Sequence, residues 1–463
     1  MNLLEPLFRW NAVEILLSDR ARLQGMLDFE AALARAGART RVIPEAAAPA
    51  IAAKCRAELF DNEALANATA LAGNPAIPLV RQLTKLVEKE DKEAARFVHW
   101  GATSQDAMDT GFVLQLRAAL DAIAPELQKL SDALAKLAKK YRATPIAART
   151  WMQQALPTTF GVKAAGWLDA IDRHRVRFGE LRQRALVLQF GGAVGTLAAL
   201  GDKGMDVAAA LAEDLQLRLP TLPWHTQRDR IAETVAAFAL LTGSLGKIAR
   251  DISLHAQTEI AELHEPAAKG RGGSSTMPQK RNPVTAAVVL AAATRMPGLV
   301  ASVFGAMAQE EERGLGNWHA EWETLPEIIG LAAGALHHLT ETMSGLEVDT
   351  KKMKENLERT RGLIFAEAVQ MTLARSLGRM AAHELVEAAC KRALAKGRHL
   401  RDVLAEDRTV KKLLKKNELA RLFNPAEYLG VADSMIDRAL QAHNAMRPKA
   451  SAARAPKRAK NGD

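Results

Sequence analysis

The feature that most limits the fold of this chain is a run of apolar residues spaced three and four positions apart. Between positions 113 and 137 the steps alternate strictly between three and four residues, which is the spacing of one face of a single long α-helix. The apolar positions are Val113, Leu116, Leu120, Ile123, Leu127, Leu130, Leu134 and Leu137. A helix this long needs partner helices along its whole length, because its apolar face must be buried against another element.

Other parts of the chain carry the same helical signal. Helices are predicted at residues 162–188, 229–263 and 283–308, and the longest would reach on the order of 50 Å at about 1.5 Å per residue. The sequence gives little indication of β-strands, because alternating β-branched runs are few and only 2 residues are Tyr. The sequence therefore predicts an all-α fold, an elongated bundle of long helices with a smaller helical domain at each end. Such a bundle is expected to complete itself by oligomerisation.

Turn-like segments and a change of composition divide the chain. The first boundary is placed near Thr110, after the loop-like residues 99–104, and the second near Arg361 and Gly362. The predicted segments are an N-terminal helical domain at 1–110, a central long-helix bundle at 111–360, a C-terminal helical domain at 361–446 and a basic disordered tail at 447–463. The tail has 6 basic residues against 1 acidic residue, which is half of the net charge of +10. We therefore expect a solvated tail and no specific nucleic-acid partner.

Composition also limits the compartment and the cofactors. Cys55 and Cys390 are the only cysteines, so neither a disulfide framework nor a cysteine metal site can form within one chain. No basic segment followed by an apolar stretch opens the chain, and no run of about 18 apolar residues occurs in it. We therefore predict a cytoplasmic protein without a membrane partner. No spacing of His, Cys and carboxylates suits a closed metal site, and no metal or other cofactor is expected.

Two glycine-rich segments are candidates for ligand loops. The sequence GGAVG at 191–195 lacks the spacing of a dinucleotide loop and follows no predicted strand, so it is read as a turn between helices. The sequence KGRGGSSTMPQKRNP at 269–283 combines glycines, hydroxyls and a Lys-Arg-Asn turn. Pro283 is expected in the first turn of the next helix, whose positive end beside Lys280 would attract an anion. An ordinary surface loop remains the alternative.

This second segment carries a resemblance to a known family. The sequence GSSTMPQKRNP at 273–283 resembles the G-S-S-x-M-P-x-K-x-N-P motif of the fumarase/aspartase superfamily. Two further regions similar to that superfamily occur in the expected order, HWGATSQD at 99–106 and RTWMQQA at 149–155. The resemblance extends over nearly the whole chain except the basic tail. It implies the long-helix fold of L-aspartase and a homotetramer whose sites combine segments from three chains.

The resemblance also implies roles for individual residues. Ser274 corresponds to the proposed base that removes a proton next to a carboxylate, and Lys280 and Asn282 correspond to residues that hold the substrate carboxylate. The pair Thr103 and Ser104 would bind another carboxylate oxygen. A serine hydroxyl is a poor base by itself, so Ser274 needs cationic and amide-rich surroundings when the loop closes.

One position departs from the pattern of the amine-expelling members of the superfamily. Those lyases carry R-T-H-x-Q where this chain has Arg149, Thr150, Trp151, Met152 and Gln153. An amine or hydroxide must be protonated as it leaves, which suits a histidine, whereas a carboxylate with a conjugate-acid pKa of about 4 leaves or attacks without a proton. The tryptophan therefore favours a reaction that makes or breaks a bond to a carboxylate oxygen. A core tryptophan in an enzyme whose acid lies elsewhere remains the alternative.

Three further stretches resemble one particular family within this superfamily. The sequences GNPAIPLV at 73–80, FVHWGATSQD at 97–106 and ERGLGNWHAEW at 312–322 are similar to those of bacterial carboxymuconate cycloisomerases, which close a lactone ring. That family implies a small tricarboxylate substrate from protocatechuate breakdown, with Lys280 and Arg313 in the site. Trp151 and Gln153 would then orient the attacking carboxylate.

Two other functions remain open at this point. An adenylosuccinate-type C–N lyase is compatible with QRDR at 227–230 and with Arg149 and Thr150. A catalytically silent structural or binding protein of the same fold is the second alternative. The absent histidine opposes the first, and the intact Ser274, Lys280 and Asn282 oppose the second.

Overall fold

The computed structural model describes residues 3–268 and 270–446, and the predicted basic tail at 447–463 lies outside these described residues. Most of the described residues lie in helices, which confirms the predicted all-α fold. The helices are α1 (Glu5–Phe8), α2 (Asn11–Leu17), α3 (Asp19–Arg39), α4 (Ala47–Ala52), α5 (Asn62–Ala72), α6 (Ala76–Glu88), α7 (Lys92–Ala95), α8 (Ser104–Lys140), α9 (Phe160–Ala185), α10 (Gly204–Asp214), α11 (Asp229–His255), α12 (Val284–Gly305), α13 (Asn317–Ser344), α14 (Thr350–Glu358), α15 (Ala366–Leu377), α16 (Arg379–Lys396), α17 (Leu400–Glu406), α18 (Arg408–Leu413), α19 (Lys416–Arg421) and α20 (Ala432–Ala445). The strands are β1 (Pro145–Thr150), β2 (Gln153–Thr159), β3 (Leu263–His264) and β4 (Glu347–Val348).

Helix α8 carries the apolar face from which the fold was predicted. All eight residues of that face are buried, with between 0% and 8% of their surface exposed. The helix also extends beyond the apolar run at both ends, from Ser104 to Lys140. The three-and-four spacing therefore predicted a core helix correctly, because every apolar residue of this face is buried.

The other predictions of secondary structure were accurate for long helices and incomplete elsewhere. Helices α9 and α12 lie within about three residues of their predicted ends, whereas α11 ends at His255, eight residues before the predicted end. Helix α13 was not predicted. The antiparallel hairpin of β1 and β2 was also missed, and it carries the Trp151 segment.

The described chain forms two compact units. Within the described residues, unit 1 comprises 3–130, 173–259 and 263–347, and unit 2 comprises 131–172, 260–262 and 348–446. In unit 1, α11, α12 and α13 pack along one another, and α3 packs against α4 and α10. In unit 2, α15 to α19 enclose an apolar cluster that includes Phe365, Val369 and Leu404. Each unit takes segments from separate parts of the chain, and the predicted four-segment division stays a prediction.

A buried histidine in unit 1 is held in its neutral form. His174 is 4% exposed, its Nδ1 lies 2.8 Å from the Arg177 guanidinium, and its Nε2 lies 2.8 Å from Ser244 Oγ. Because arginine only donates hydrogen bonds, Nδ1 must accept, and the proton must be on Nε2, which donates to Ser244. Burial, followed by the charges of Arg177 and Arg173, lowers the pKa of His174 from 6.5 to about 4.

This histidine makes the stability of the chain depend on pH. The unfolded chain binds a proton on His174 below its ordinary pKa of 6.5, while the folded chain resists protonation down to a pKa of about 4. The free energy of unfolding should therefore fall as the pH drops through this window, by roughly 2 kcal/mol between about pH 7 and pH 5. Urea unfolding of the wild type and of His174→Gln at both pH values measures the effect. An equal loss of stability in both proteins would contradict it.

Candidate functional site

The start of helix α8 carries the two hydroxyls predicted to bind a carboxylate, Thr103 and Ser104. The backbone N–H of Thr103 donates to Asp106 Oδ2 at 3.0 Å, so this helix start is held through its backbone. Both hydroxyl-bearing residues are half-buried. Asp106 itself is fully buried, with 0% of its surface exposed.

The buried carboxylate of Asp106 also holds the glycine-rich turn that follows α9. Its Oδ1 accepts from the backbone N–H of Gly191 at 3.0 Å and lies 2.7 Å from His225 Nε2. Its Oδ2 accepts from the N–H of Gly192 at 2.9 Å. A side chain on Gly192, whose φ is +69°, would approach the carbonyl of Gly101 to 3.0 Å. The GGAVG segment is therefore a connecting turn, as predicted, and its glycines allow two backbone segments to approach closely.

Arg313 lies against the same turn. One of its guanidinium nitrogens, Nη2, donates to the carbonyl of Ala193 at 2.9 Å. The preceding Glu311 has a φ of +42°, which is strained for a residue with a side chain, and its carbonyl accepts from Thr226 Oγ1 at 2.8 Å. The structure thus brings Thr103 and Arg313 into one hydrogen-bonded group, which we call the Asp106 cluster (Thr103, Asp106, the 191–193 turn, His225 and Arg313).

A buried ion-pair network supports this cluster. The guanidinium of Arg228, 3% exposed, donates to Asp109 Oδ2 at 2.7 Å and to Glu321 Oε1 at 2.9 Å. Trp318 Nε1 donates to the other oxygen of Asp109 at 3.3 Å, and Gln309 donates to Glu321. Burial raises the pKa of the Glu321 carboxyl, and Arg228 opposes that rise. Removing Arg228 would leave two buried carboxylates without a cation, which makes it a structural rather than a catalytic residue.

A histidine next to the helix start adds a titratable group. His99 Nδ1 lies 2.6 Å from the carboxylate of Glu30, which is 1% exposed. Burial alone would lower the pKa of His99, but the charge of Glu30 and the hydrogen bond to it raise the pKa above its ordinary value. His99 has a φ of +58°, a conformation that costs free energy and is common near functional sites.

The motif loop with Ser274 lies on the surface of unit 1. Ser274 Oγ accepts from the N–H of Thr276 at 3.3 Å and of Met277 at 3.0 Å. The loop closes at its base, where the N–H of Asn282 donates to the carbonyl of Gly272 at 2.8 Å. Lys280 is exposed. Ser274, Lys280 and Asn282 therefore share one loop, and no hydrogen bond between described residues joins this loop to the Asp106 cluster.

The anion site predicted at the start of α12 is wrong in one respect. The first free N–H groups of that helix, of Thr285 and Ala286, donate to the two carboxylate oxygens of Glu265 at 3.0 and 2.8 Å. A carboxylate of the chain itself therefore takes the position expected for a ligand. Pro283 also lies one residue before the first turn, as the N-cap, instead of inside it. Lys280 remains an exposed cation of the loop, without help from the helix end.

The third predicted segment forms the tip of a hairpin in unit 2. Thr150 of β1 pairs with Gln153 of β2, which leaves Trp151 and Met152 as a two-residue turn. Both have left-handed backbones, with φ of +51° and +65°, where glycine or asparagine is usual. Trp151 is 97% exposed and Gln153 is exposed too. Trp151 is therefore not part of the core of the described chain, while an acid elsewhere in the enzyme stays an open alternative.

The base of this hairpin is held firmly. The Arg149 guanidinium makes two hydrogen bonds of 3.0 Å to the two carboxylate oxygens of Glu262, which is fully buried. Asn356 Nδ2 donates to the same carboxylate at 2.8 Å. A paired guanidinium and carboxylate fix both distance and plane, so the strained tip stands on a rigid support.

Several residues that hold the site in place escaped the sequence analysis. Asp106 lies inside the HWGATSQD stretch and Arg228 inside QRDR, but neither was assigned a role from the sequence. His225 and Glu321 carried no signal of their own, because their partners are distant in sequence. Among the described residues no cluster of three or more His, Cys, Asp or Glu side chains could hold a metal ion. That no metal is needed stays a prediction.

Comparison with known proteins places this arrangement in a family. A family model described as "Lyase" matches residues 12–298, and one described as "Adenylosuccinate lyase C-terminus" matches residues 362–439. The chain is 57% identical over 444 residues to the 3-carboxy-cis,cis-muconate cycloisomerase of Pseudomonas aeruginosa, covering 96% of this chain and 97% of the relative. It is 43% identical over 459 residues to the nitrosuccinate lyase of Streptomyces davaonensis, covering 97% of each.

A solved structure agrees with these relatives. The crystal structure of the 3-carboxy-cis,cis-muconate lactonizing enzyme from Pseudomonas putida matches with a TM-score of 0.92 and 55% identity, covering 96% of this chain and 99% of that one. The long helices, the loop with Ser274 and the match to the lyase model over most of the sequence all indicate the same family. The chain therefore belongs to the lyase family of the fumarase/aspartase superfamily.

Proposed function

We propose that this enzyme is a cycloisomerase that interconverts 3-carboxy-cis,cis-muconate and 4-carboxymuconolactone. The relatives named above that act on this substrate share 55 to 57% identity with almost the whole chain. The observation in the structure that carries the proposal is Trp151, which stands at the exposed tip of a rigid hairpin where amine-expelling lyases have a histidine. This position therefore supplies shape and not a proton.

The reaction that fits these residues is an addition within one molecule. One terminal carboxylate oxygen forms a bond to the carbon that bears the 3-carboxy group. The displaced π electrons move to the adjacent carbon, where the other terminal carboxylate takes up the charge as an aci-carboxylate. A proton taken up from solvent is then delivered to that carbon, so a substrate with three carboxylates becomes a lactone with two. As neutral acids, substrate and product are isomers. The attacking group is already an anion at neutral pH, so no base is needed to activate it.

Charge stabilisation is expected to supply most of the rate. Lys280 and Arg313 would stabilise the developing dianion, with the hydroxyls of Thr103 and Ser104 binding a further oxygen. Ser274 is the proposed proton donor to carbon. Asn282 would hold a substrate oxygen, while Trp151 and Gln153 would orient the attacking carboxylate.

The proposed assembly is a homotetramer in the cytoplasm, with sites shared between chains. By length and composition α11 and α12 could each cross a membrane, but the apolar window of α11 is 61% buried within the chain. The window of α12 is 28% buried, and Arg295 in its middle pairs with Glu327. An apolar helix that bears an ion pair and lacks cover within its own chain fits a helix bundle completed by other subunits. The exposed Trp151 fits the same arrangement, because a substrate-orienting side chain has to meet the rest of a site.

An absorbance assay tests the proposed reaction directly. The enzyme should remove the absorbance of the conjugated diene of 3-carboxymuconate without any added nucleophile, and the lactone should appear in equal amount. Adenylosuccinate should not react, because its amine leaves only with a proton. Nitrosuccinate is a useful comparison, because nitrite also leaves as a stable anion. Rapid fumarate release from adenylosuccinate, or no reaction with the muconate, would contradict the proposal.

Substitution of Trp151 tests the argument from the leaving group. Trp151→Phe should keep the rate of cyclisation within about tenfold, because the aromatic shape is kept and no proton transfer is lost. Trp151→His should gain nothing, because the reaction has no use for an acid at this position. Both variants should fold normally, since the side chain is 97% exposed. Steady-state kinetics beside a thermal melt would measure this, and a faster Trp151→His enzyme would contradict it.

A further inference from the structure

The Asp106 cluster contains a buried carboxylate to which no role has been assigned. Asp106 is 0% exposed, yet its two oxygens take part in four hydrogen bonds, three with backbone N–H groups and one with His225. The three backbone partners lie in two segments that are far apart in sequence, Thr103 on one side and Gly191 and Gly192 on the other. One side chain therefore sets the separation of two backbone segments.

Each of these segments adjoins a residue of the proposed reaction. Thr103 is itself a predicted substrate-binding residue, and Ser104 follows it. Gly192 is followed by Ala193, whose carbonyl accepts the hydrogen bond from Arg313 at 2.9 Å. A displacement of Asp106 would thus move the hydroxyl pair and the acceptor of the Arg313 guanidinium together.

We propose that Asp106 is a positioning residue that fixes the Arg313 guanidinium relative to the Thr103–Ser104 hydroxyls through the 191–193 turn. This proposal rests on the proposed function for the roles of Arg313 and Thr103. The pre-set spacing matters because charge stabilisation depends on groups that need no rearrangement as the charge develops, and a misplacement of about 1 Å can cost on the order of 100-fold in rate. His225 contacts the same carboxylate through its side chain, with Nε2 at 2.7 Å from Asp106 Oδ1.

The geometry makes Asp106→Asn an informative change. Asparagine keeps the size of the side chain, but its NH₂ group would face backbone N–H groups. Both are donors, so no hydrogen bond can form between them. The expected result is a loss of about 100-fold in kcat with a change in KM below about threefold. Asp172→Asn is the matched control, because Asp172 is 6% exposed and accepts a hydrogen bond from Ser131 Oγ at 2.8 Å. Its kcat should stay near that of the wild type even if its melting temperature falls.

A double-mutant cycle with Arg313→Ala separates positioning from general destabilisation. If Asp106 acts through Arg313, then Asp106→Asn should cost less than about tenfold once Arg313 is absent, because only the displacement of the Thr103–Ser104 hydroxyls then remains. A full 100-fold loss in both backgrounds would overturn the proposal. Should Asp106→Asn fail to fold, His225→Phe removes one donor and keeps the three backbone bonds. It should give a smaller kcat loss with the same non-additivity, and additive losses would again overturn the proposal.

Backbone amide exchange keeps this test distinct from a test of the reaction itself. In Asp106→Asn, peptides covering residues 99–106 and 187–195 should exchange faster, while the rest of unit 1 keeps its protection. Unchanged exchange in both peptides would overturn the proposal whatever the substrate is. If the wild type did not cyclise the muconate, only the proposed function would fail, and the exchange result would still report on the role of Asp106 in the structure.

Discussion

Arg313→Ala and Lys280→Ala are each expected to lower kcat/KM for lactone formation by about 10²- to 10³-fold, or roughly 3 to 4 kcal/mol. Both cations are proposed to face the charge that develops on the substrate carboxylate next to the carbon that receives the proton. Neither is needed for folding, because Lys280 is exposed and Arg313 contacts only the Ala193 carbonyl among the described hydrogen bonds of its side chain. The effect should therefore appear in kinetics and not in a thermal melt.

A matched control keeps this expectation specific. Arg281 lies beside Lys280 but pairs with Glu347 at 2.9 Å and with the carbonyl of Glu265. Arg281→Ala should loosen the base of the loop with a smaller kinetic effect than Lys280→Ala. Near-normal turnover of Lys280→Ala or Arg313→Ala would show that the assignment of that residue is wrong.

Mixing inactive chains is expected to restore activity when the two changes lie in segments from different subunits. Ser274→Ala and Trp151→Ala should each be strongly impaired alone. If one site takes its loop from one chain and its hairpin from another, random hybrid assemblies of equal amounts should hold about one quarter intact sites. Recovery is measured after the two proteins are unfolded and refolded together.

The chain offers a control for this experiment as well. Ser274 and Lys280 lie in one loop closed by Gly272 and Asn282, so both must reach any site from the same chain. A mixture of Ser274→Ala with Lys280→Ala should therefore regain no activity. Failure of the Ser274 and Trp151 mixture, or a monomer in sedimentation, would contradict the shared site.

The long helices could be predicted because their signal is local. The apolar face of α8 repeats over seven successive steps, and each residue on it is buried. The hairpin could not be predicted in the same way, because its turn residues, Trp151 and Met152, are not the glycine or asparagine that such turns prefer. Its conformation is fixed instead by the Arg149 and Glu262 pair, whose members lie 113 residues apart.

The site was predictable to the extent that its residues form motifs. The sequence singled out the loop with Ser274 and the Thr103 turn, and the structure describes both as exposed or half-buried polar segments. It did not indicate that Asp106 binds a turn 85 residues away, nor that Glu265 covers the start of α12. Such contacts depend on how helices pack, and spacing along the chain carries no information on them.

The strained hairpin tip has a consequence for how this enzyme would respond to selection. A glycine at Met152 would relieve the left-handed backbone, whose φ is +65°, and would make the turn more favourable. Variants selected for heat resistance alone would therefore tend to accumulate such relaxed turns. The same change would widen the range of orientations open to Trp151, and catalysis would decline as the melting temperature rose. At this hairpin, a gain in thermal stability is thus expected to lower turnover. A screen for both properties should leave its sequence unchanged.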